Sequence, residues 1–378
     1  MKSILLSLLI IITLTSCNKG DDVPLTVEQF SITGRFLAPN NLDPISNGRI
    51  KAYVNSELKA ETLTTVDGTF NLSLPAGNYD VVLSKGQFTA NLEVTVENNI
   101  ALANTRVETL PNIAVVTGEY DNIESVLYSI GLFNPITGAP LFDIIDGNSL
   151  SRIQATNSNK KHKDHGHLKA NAMERNALLQ TNVDFGFGDL MQDPSLLAEY
   201  DIIFLNCGLT ASFENDSSIF SNYVMNGGIL YATDWASGYL DAITNSGTNY
   251  LTPLTPEKSG VSTTTVATIL DGDLSAWLLV NFGISINDTV EIDDFLMSWQ
   301  VIDSYDSNTT ISWLNGPVTY WDETNTEISE NKDLAFTFLH GDGAVFYSSF
   351  HTENNLIDEF SDVDRIMQFL VFEMSDID

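Results

Sequence analysis

Two incompatible hydrophobic periods meet near Pro111 and decide what this chain can fold into. From Phe30 to about Val107 the apolar residues come in short β-type runs: Ser31 to Leu37, Arg49 to Val54, Thr69 to Leu74, Tyr79 to Leu83 and Ala90 to Val96. Turn residues separate them, among them Pro44, Asn47-Gly48, Asp67-Gly68, Pro75, Gly77 and Gly86. Short runs at that spacing, with no helical period, predict an antiparallel β-sandwich over 30–108. Beyond Pro111, strand runs alternate with helical segments, the pattern of an α/β domain with a mainly parallel sheet over 111–378. A cut near Pro111 is expected to leave two pieces that fold independently.

Within the second part, Ile113 to Val116 and Ile202 to Leu205 read as strands buried on both faces. Asp121 is expected to cap a helix, with Glu124 completing a capping box and Ile123, Val126, Leu127 and Ile130 on one face. Leu141 to Ile145 and Ile229 to Thr233 are further strands, and Asp234 reads as the cap of the helix that follows. Leu334 to Leu339 and Ala344 to Phe350 are expected as neighbouring strands, before a last helix starting near Ser361. Two irregular insertions interrupt the pattern. Residues 155–171 are polar and hold His162, His165 and His167 beside Lys160, Lys161 and Lys163; residues 260–330 read as β-rich and carry Trp277, Trp299, Trp313 and Trp321.

The 17 Lys and Arg against 50 Asp and Glu give a formal charge of -33, which repels nucleic acid and excludes it as a partner. The first residues, MKSILLSLLIIITLTSC, combine a Lys, an apolar run shorter than an ordinary membrane span, and small residues before Cys17. That is the form of a secretory signal over 1–16. Leu14 to Cys17 resembles the lipobox of bacterial lipoproteins. The resemblance implies that Cys17 carries palmitate-type acyl chains and that the membrane is a partner through this anchor. Residues 17–29 resemble the polar, acidic tethers of Bacteroidetes lipoproteins, which implies an outer-membrane location, surface-exposed or periplasm-facing. With Cys17 lipidated, Cys207 has no partner for a disulfide.

Thr65-Val66-Asp67-Gly68-Thr69-Phe70, followed by Leu74-Pro75-Ala76-Gly77-Asn78-Tyr79, resembles the carboxypeptidase regulatory-like domain. That resemblance implies a sandwich with no catalytic residues. In an open α/β sheet, ligands bind beyond the carboxyl ends of the strands. That rule gathers Gly118, Glu119 and Asp121; Asn206, Cys207 and Gly208; Thr233, Asp234 and Trp235; and His351 with Glu353. At these places the second part resembles the class I glutamine amidotransferase-like fold, a flavodoxin-like group that includes the ThuA-like proteins. Enzymes of that family use a Cys on a strained strand-to-helix turn and a His-x-Glu pair that activates it. His351-Thr352-Glu353 fits the pair, but the turn offers Thr233, Asp234 and Trp235, with no Cys.

A noncatalytic binding or envelope-interaction role follows from that missing nucleophile, with Glu119, Asp234, Trp235, His351 and Glu353 as ligand-binding candidates. No cofactor is expected, although the acidic mouth formed by Glu119, Asp234 and Glu353 would suit a divalent cation. The catalytic alternative is a hydrolase using His351 and Glu353 with Cys207, Asp234 or a metal. A third reading is glycan capture by the tryptophans of 260–330. Partners in these readings are a small polar ligand, a glycan or an envelope protein. The anchor is directly testable: Cys17→Ala should abolish incorporation of labelled acyl chains and move the protein out of the detergent phase, and continued acylation of the variant would exclude the lipoprotein reading.

Overall fold

A computed structural model describes residues 27–148, 179–248, 250–253, 259–322, 324–352 and 360–374. The lipobox-like segment ending at Cys17, the His-rich tract of 155–171, and Glu353 lie outside them.

The first part consists of strands β1 (Phe30–Leu37), β2 (Arg49–Val54), β3 (Glu57–Leu63), β4 (Thr69–Leu74), β5 (Gly77–Lys85), β6 (Phe88–Val96) and the short β7 (Ile100–Ala101) and β8 (Thr105–Arg106). One sheet runs β4-β1-β7, with β8 also on β1; the other runs β3-β2-β5-β6. Strict alternation drives this arrangement: Phe70, Leu72 and Leu74 of β4, and Tyr79, Val81 and Leu83 of β5, all face inward. At the Asp67-Gly68 turn, Gly68 has φ +78°, and a Cβ there would lie 2.5 Å from the Phe36 carbonyl oxygen, so only glycine fits. The run with no hydrophobic signature is β3, whose residues are mostly exposed; backbone pairing with β2 holds it.

The second part is built on one nine-stranded sheet. Its strands are β9 (Ile113–Thr117), β10 (Asp143–Asp146), β11 (Ile202–Leu205), β12 (Ile229–Thr233), β14 (Thr263–Ile269), β15 (Thr289–Phe295), β17 (Thr310–Trp321), β18 (Glu327–His340) and β19 (Gly343–Ser348). A separate ribbon pairs β13 (Thr252–Pro253) with β16 (Ile302–Ser304). The sheet order is β10-β9-β11-β12-β19-β18-β17-β14-β15. The first five strands are parallel and the last four antiparallel. The parallel half has the flavodoxin-like order, which reverses at β9. Four longer helices flank the sheet: α1 (Ile123–Ser129), α2 (Ser218–Met225), α3 (Gly272–Phe282) and α4 (Asp362–Glu373).

The 260–330 block is β-rich as expected, but it is not irregular. Its β14, β15 and β17 continue the main sheet, and it contributes helix α3, which the Thr-rich sequence concealed. Its tryptophans do not form an outward stacking face: Trp277, Trp299 and Trp313 are buried and Trp321 is half-buried. Trp277 donates through Nε1 to the Pro44 carbonyl of the sandwich at 2.9 Å.

That bond belongs to a continuous junction between the two parts. Phe88 of β6 meets Phe372 of α4 edge-on at 5.0 Å, within one apolar cluster that spans sandwich and sheet. Around it, Lys85 Nζ lies 2.9 Å from Glu373, Gln368 Nε2 donates to Asp43 at 2.7 Å, and Asn281 Nδ2 donates to the Val66 carbonyl. Elements from both ends of the chain share this core, so the sandwich is not a bead on a string and the boundary near Pro111 is not an open linker.

Helix α4 begins with a capping box in which Ser361 Oγ accepts from Asp364 N, while Ser361 N donates to the Asp364 carboxylate at 2.8 Å. Burial pushes the Asp364 carboxyl up to about 6 from 3.8, against the opposing pull of the Ser361 donors. The folded state therefore holds this proton more tightly than the unfolded one. The stability that results is complete below pH 3.8 and is lost as pH rises through about 6. Asp364→Asn keeps an acceptor but removes the charge, and is expected to flatten the pH dependence of the unfolding free energy across that window by about 1–3 kcal/mol. Urea denaturation at stepped pH tests this; an unchanged slope would refute it.

Candidate functional site

The candidate site forms where loops leave the carboxyl ends of β9, β11, β12 and β19. Two close approaches bring them together. A Cβ on Gly118 would lie 1.8 Å from the Cys207 carbonyl oxygen, and one on Gly208, at φ +90°, would lie 2.6 Å from the Glu119 nitrogen. With no side chain at either position, the loops after β9 and β11 sit backbone against backbone.

Asp121 stands at the centre. Its carboxylate accepts from Cys207 N at 2.8 Å, from Thr352 N at 2.9 Å and from the Thr233 hydroxyl. It is therefore not the helix cap the sequence suggested: α1 starts two residues later, and Asp121 turns inward to collect donors from three other loops. Glu124, expected in the capping box, is also buried, and its carboxylate accepts from Asn206 Nδ2 at 3.1 Å. Burial raises the Asp121 carboxyl, opposed by the charge of His351 and by its donors.

Asp234 does not cap a helix through its side chain either. It occupies the sharp turn between β12 and a 3-10 helix (Asp234–Leu240), with φ +44°. A non-glycine residue in this left-handed region is strained and needs support from its surroundings. That support is present: Asp234 Oδ1 accepts from Gln300 N at 2.5 Å, and the Tyr347 hydroxyl donates to the Asp234 carbonyl at 3.2 Å. The other carboxylate oxygen, Oδ2, lies 3.0 Å from His351 Nε2 and 3.4 Å from Cys207 Sγ.

Cys207 and His351 are both buried. Burial pushes the Cys207 thiol up to about 12, the Asp234 carboxylate adds to this, and His351 only partly offsets it. Burial alone would lower the His351 imidazole, but the Asp121 carboxylate and the contacts with Asp234 and Cys207 outweigh it and hold the group well above its ordinary value. The centre thus gathers one imidazole, two acidic side chains and a thiol whose proton burial holds.

Of the residues expected from sequence, Cys207, Asp234 and His351 converge. Trp235 is half-buried at the rim, its Nε1 donating to the Ser298 carbonyl at 2.6 Å. Glu119 is exposed, on the loop whose backbone approaches Gly208 beside Cys207. Glu353 belongs to residues outside the described ones. Sequence reading missed the clamping role of Asp121 and the cover supplied by Gln300. The signal for Asp121 was its place directly after a doubly buried strand and Gly118; Gln300 gave none, because the strands around it were read as an insertion.

No family model matches the chain, and no curated protein matches it. Among solved structures, a ThuA-like protein from Parabacteroides merdae is 12% identical over 70% of this chain and 88% of its own, with a TM-score of 0.36. A DUF3823 family protein from Bacteroides ovatus is 14% identical over 22% of this chain and 45% of its own, with a TM-score of 0.19. The 5-hydroxyisourate hydrolase of Klebsiella pneumoniae is 16% identical over 21% of this chain and 91% of its own, also with a TM-score of 0.19. These likenesses are remote. The α/β architecture stands on the strand order and the sandwich on its own two sheets.

The contact at Gly118 leaves no room for a methyl group against backbone. Gly118→Ala is expected to lower stability by about 1–3 kcal/mol and to loosen the β9–β11 loops. Denaturant unfolding measures the first effect and amide exchange at Cys207 the second; a variant as stable as the parent would show that the approach is not required.

Proposed function

We propose that this chain is a cell-envelope lipoprotein whose amidotransferase-like domain serves binding or interaction and not catalysis. The observation that carries the reading is Asp234 at the strand-to-helix turn. An acyl-transfer enzyme of this architecture needs a thiolate presented there, free to attack. Here the position holds a carboxylate engaged by Gln300 N and in contact with His351. The one described thiol, Cys207, lies at the end of the neighbouring strand, buried and protonated.

The lipobox at Leu14 to Cys17 supports the envelope location, and the excess of acidic residues favours a cationic or polar partner over nucleic acid or anionic lipid. The hydrolase alternative requires a nucleophile that substrate can reach, and the burial of Cys207 argues against it. The glycan alternative loses support with the burial of Trp277, Trp299 and Trp313.

The reading predicts that glutamine and simple amide substrates are hydrolysed no faster by the protein than by its His351→Ala variant. It also predicts that iodoacetamide labels Cys207 slowly in the folded protein and rapidly after denaturation. Rapid stoichiometric labelling of the native thiol, abolished by His351→Ala, would restore the enzyme reading.

A further inference from the structure

Cys207, Asp234 and His351 come from the ends of three different strands, and each directs one donor atom to the same point. Sulfur, carboxylate oxygen and imidazole nitrogen all lie within 4.8 Å of one another, and all three residues are buried. We propose that these three side chains bind a zinc-class divalent ion. The inference goes beyond the noncatalytic reading and does not depend on it, because metal content is measured without reference to activity.

The orientation of His351 is the first support. Its Nε2 is 3.0 Å from Asp234 Oδ2, an ion-pair distance, yet neither ring nitrogen makes a hydrogen bond with the described residues. A buried imidazole is expected to have partners. Donor atoms that converge on one point, with Cys207 Sγ bonded among the described residues only to Asp234 Oδ2 and the imidazole left without a bond, are what a ligand set looks like around the place of an ion.

Spacing is the second support. Zinc bonds of about 2.0–2.2 Å to nitrogen or oxygen and about 2.3 Å to sulfur place tetrahedral donors about 3.3–3.7 Å apart. The nitrogen–oxygen and sulfur–oxygen separations here are 3.0 and 3.4 Å, so small side-chain rotations admit the ion.

The surrounding shell is the third. Asp234 Oδ1 is fixed by Gln300 N, which aims Oδ2 at the centre, and the Cys207 backbone is fixed by Asp121 and Thr233. Outer contacts of this kind orient metal ligands and raise affinity. A set containing sulfur and imidazole favours zinc over magnesium or calcium, unlike the acidic mouth the sequence suggested. Three protein donors leave a fourth position for a water.

The test uses the full chain carrying Cys17→Ala, which leaves Cys207 as its one cysteine, together with replacement of His162, His165 and His167 by Ala to remove the competing tract. After dialysis against zinc and then against metal-free buffer, about one zinc per chain is expected to remain. Cobalt in place of zinc should give a sulfur-to-metal charge-transfer band. Cys207→Ser and His351→Ala should each reduce retained zinc at least tenfold, with folding verified by near-ultraviolet circular dichroism. His340→Ala, a buried histidine away from the cluster, should retain it. Should a ligand variant fail to fold, the cobalt band of the parent and a zinc-dependent rise in its melting temperature decide the matter. Absence of retained zinc and of the cobalt band, zinc that leaves with the 162–167 histidines, or zinc unaffected by Cys207→Ser would overturn the proposal.

Discussion

A single buried carboxylate organises the end of this fold where the parallel strands finish. Asp121 has no access to water, and an unaccompanied anion in such a place would be expelled or neutralised. It is tolerated because Cys207 N, Thr352 N and the Thr233 hydroxyl converge on it, with the His351 side chain nearby. The dependence runs both ways. Those donors come from the end of β12, from just after β11 and from beyond β19, so the carboxylate ties together the segments that carry the thiol, the histidine and the Asp234 turn. Removing one partner from a buried charged network commonly costs several kcal/mol, since the remaining charge is left uncompensated.

The two halves of the large sheet divide the labour. The parallel half supplies strand ends that point to one side, where loops from β9, β11, β12 and β19 gather. The antiparallel half supplies cover: the segment before β16 brings Gln300 onto Asp234, and the Ser298 carbonyl holds Trp235 at the rim. The same half carries α3, which with α4 forms the seat for the sandwich. One stretch of sequence therefore closes the site on one side and joins the two parts on the other.

Much of this was legible from residue order. The sandwich strands with inward alternation, the doubly buried β9 and β11, and the capping box at Ser361 all announced themselves through hydrophobic period and cap chemistry. Strand β3 did not, because its register is set by hydrogen bonds to β2 and its side chains face water. Residues 260–330 were read as an insertion for a related reason: a strand that extends a large sheet and a strand in a separate insertion carry the same local pattern, and only long-range pairing distinguishes them. At the site, the convergence of Cys207, Asp234 and His351 followed from the rule about strand ends. Asp121 and Asp234 were read as caps because an Asp before a helical run is the ordinary sign of one. Inward rotation of their side chains is a tertiary choice that no local signal records.

The bond between Asp121 and Thr352 joins residues 231 positions apart. Strands β10, β9, β11 and β12 are neighbours in both sequence and space, so they can assemble early during synthesis. Strand β12 then waits for β19, more than a hundred residues later, with its edge unpaired. Long-range parallel pairing of this kind forms slowly and leaves partly folded chains open to aggregation. A chain ending before Gly343 would not be a smaller version of this protein. It would be an unfinished sheet, with the edge of β12 left open to other strands.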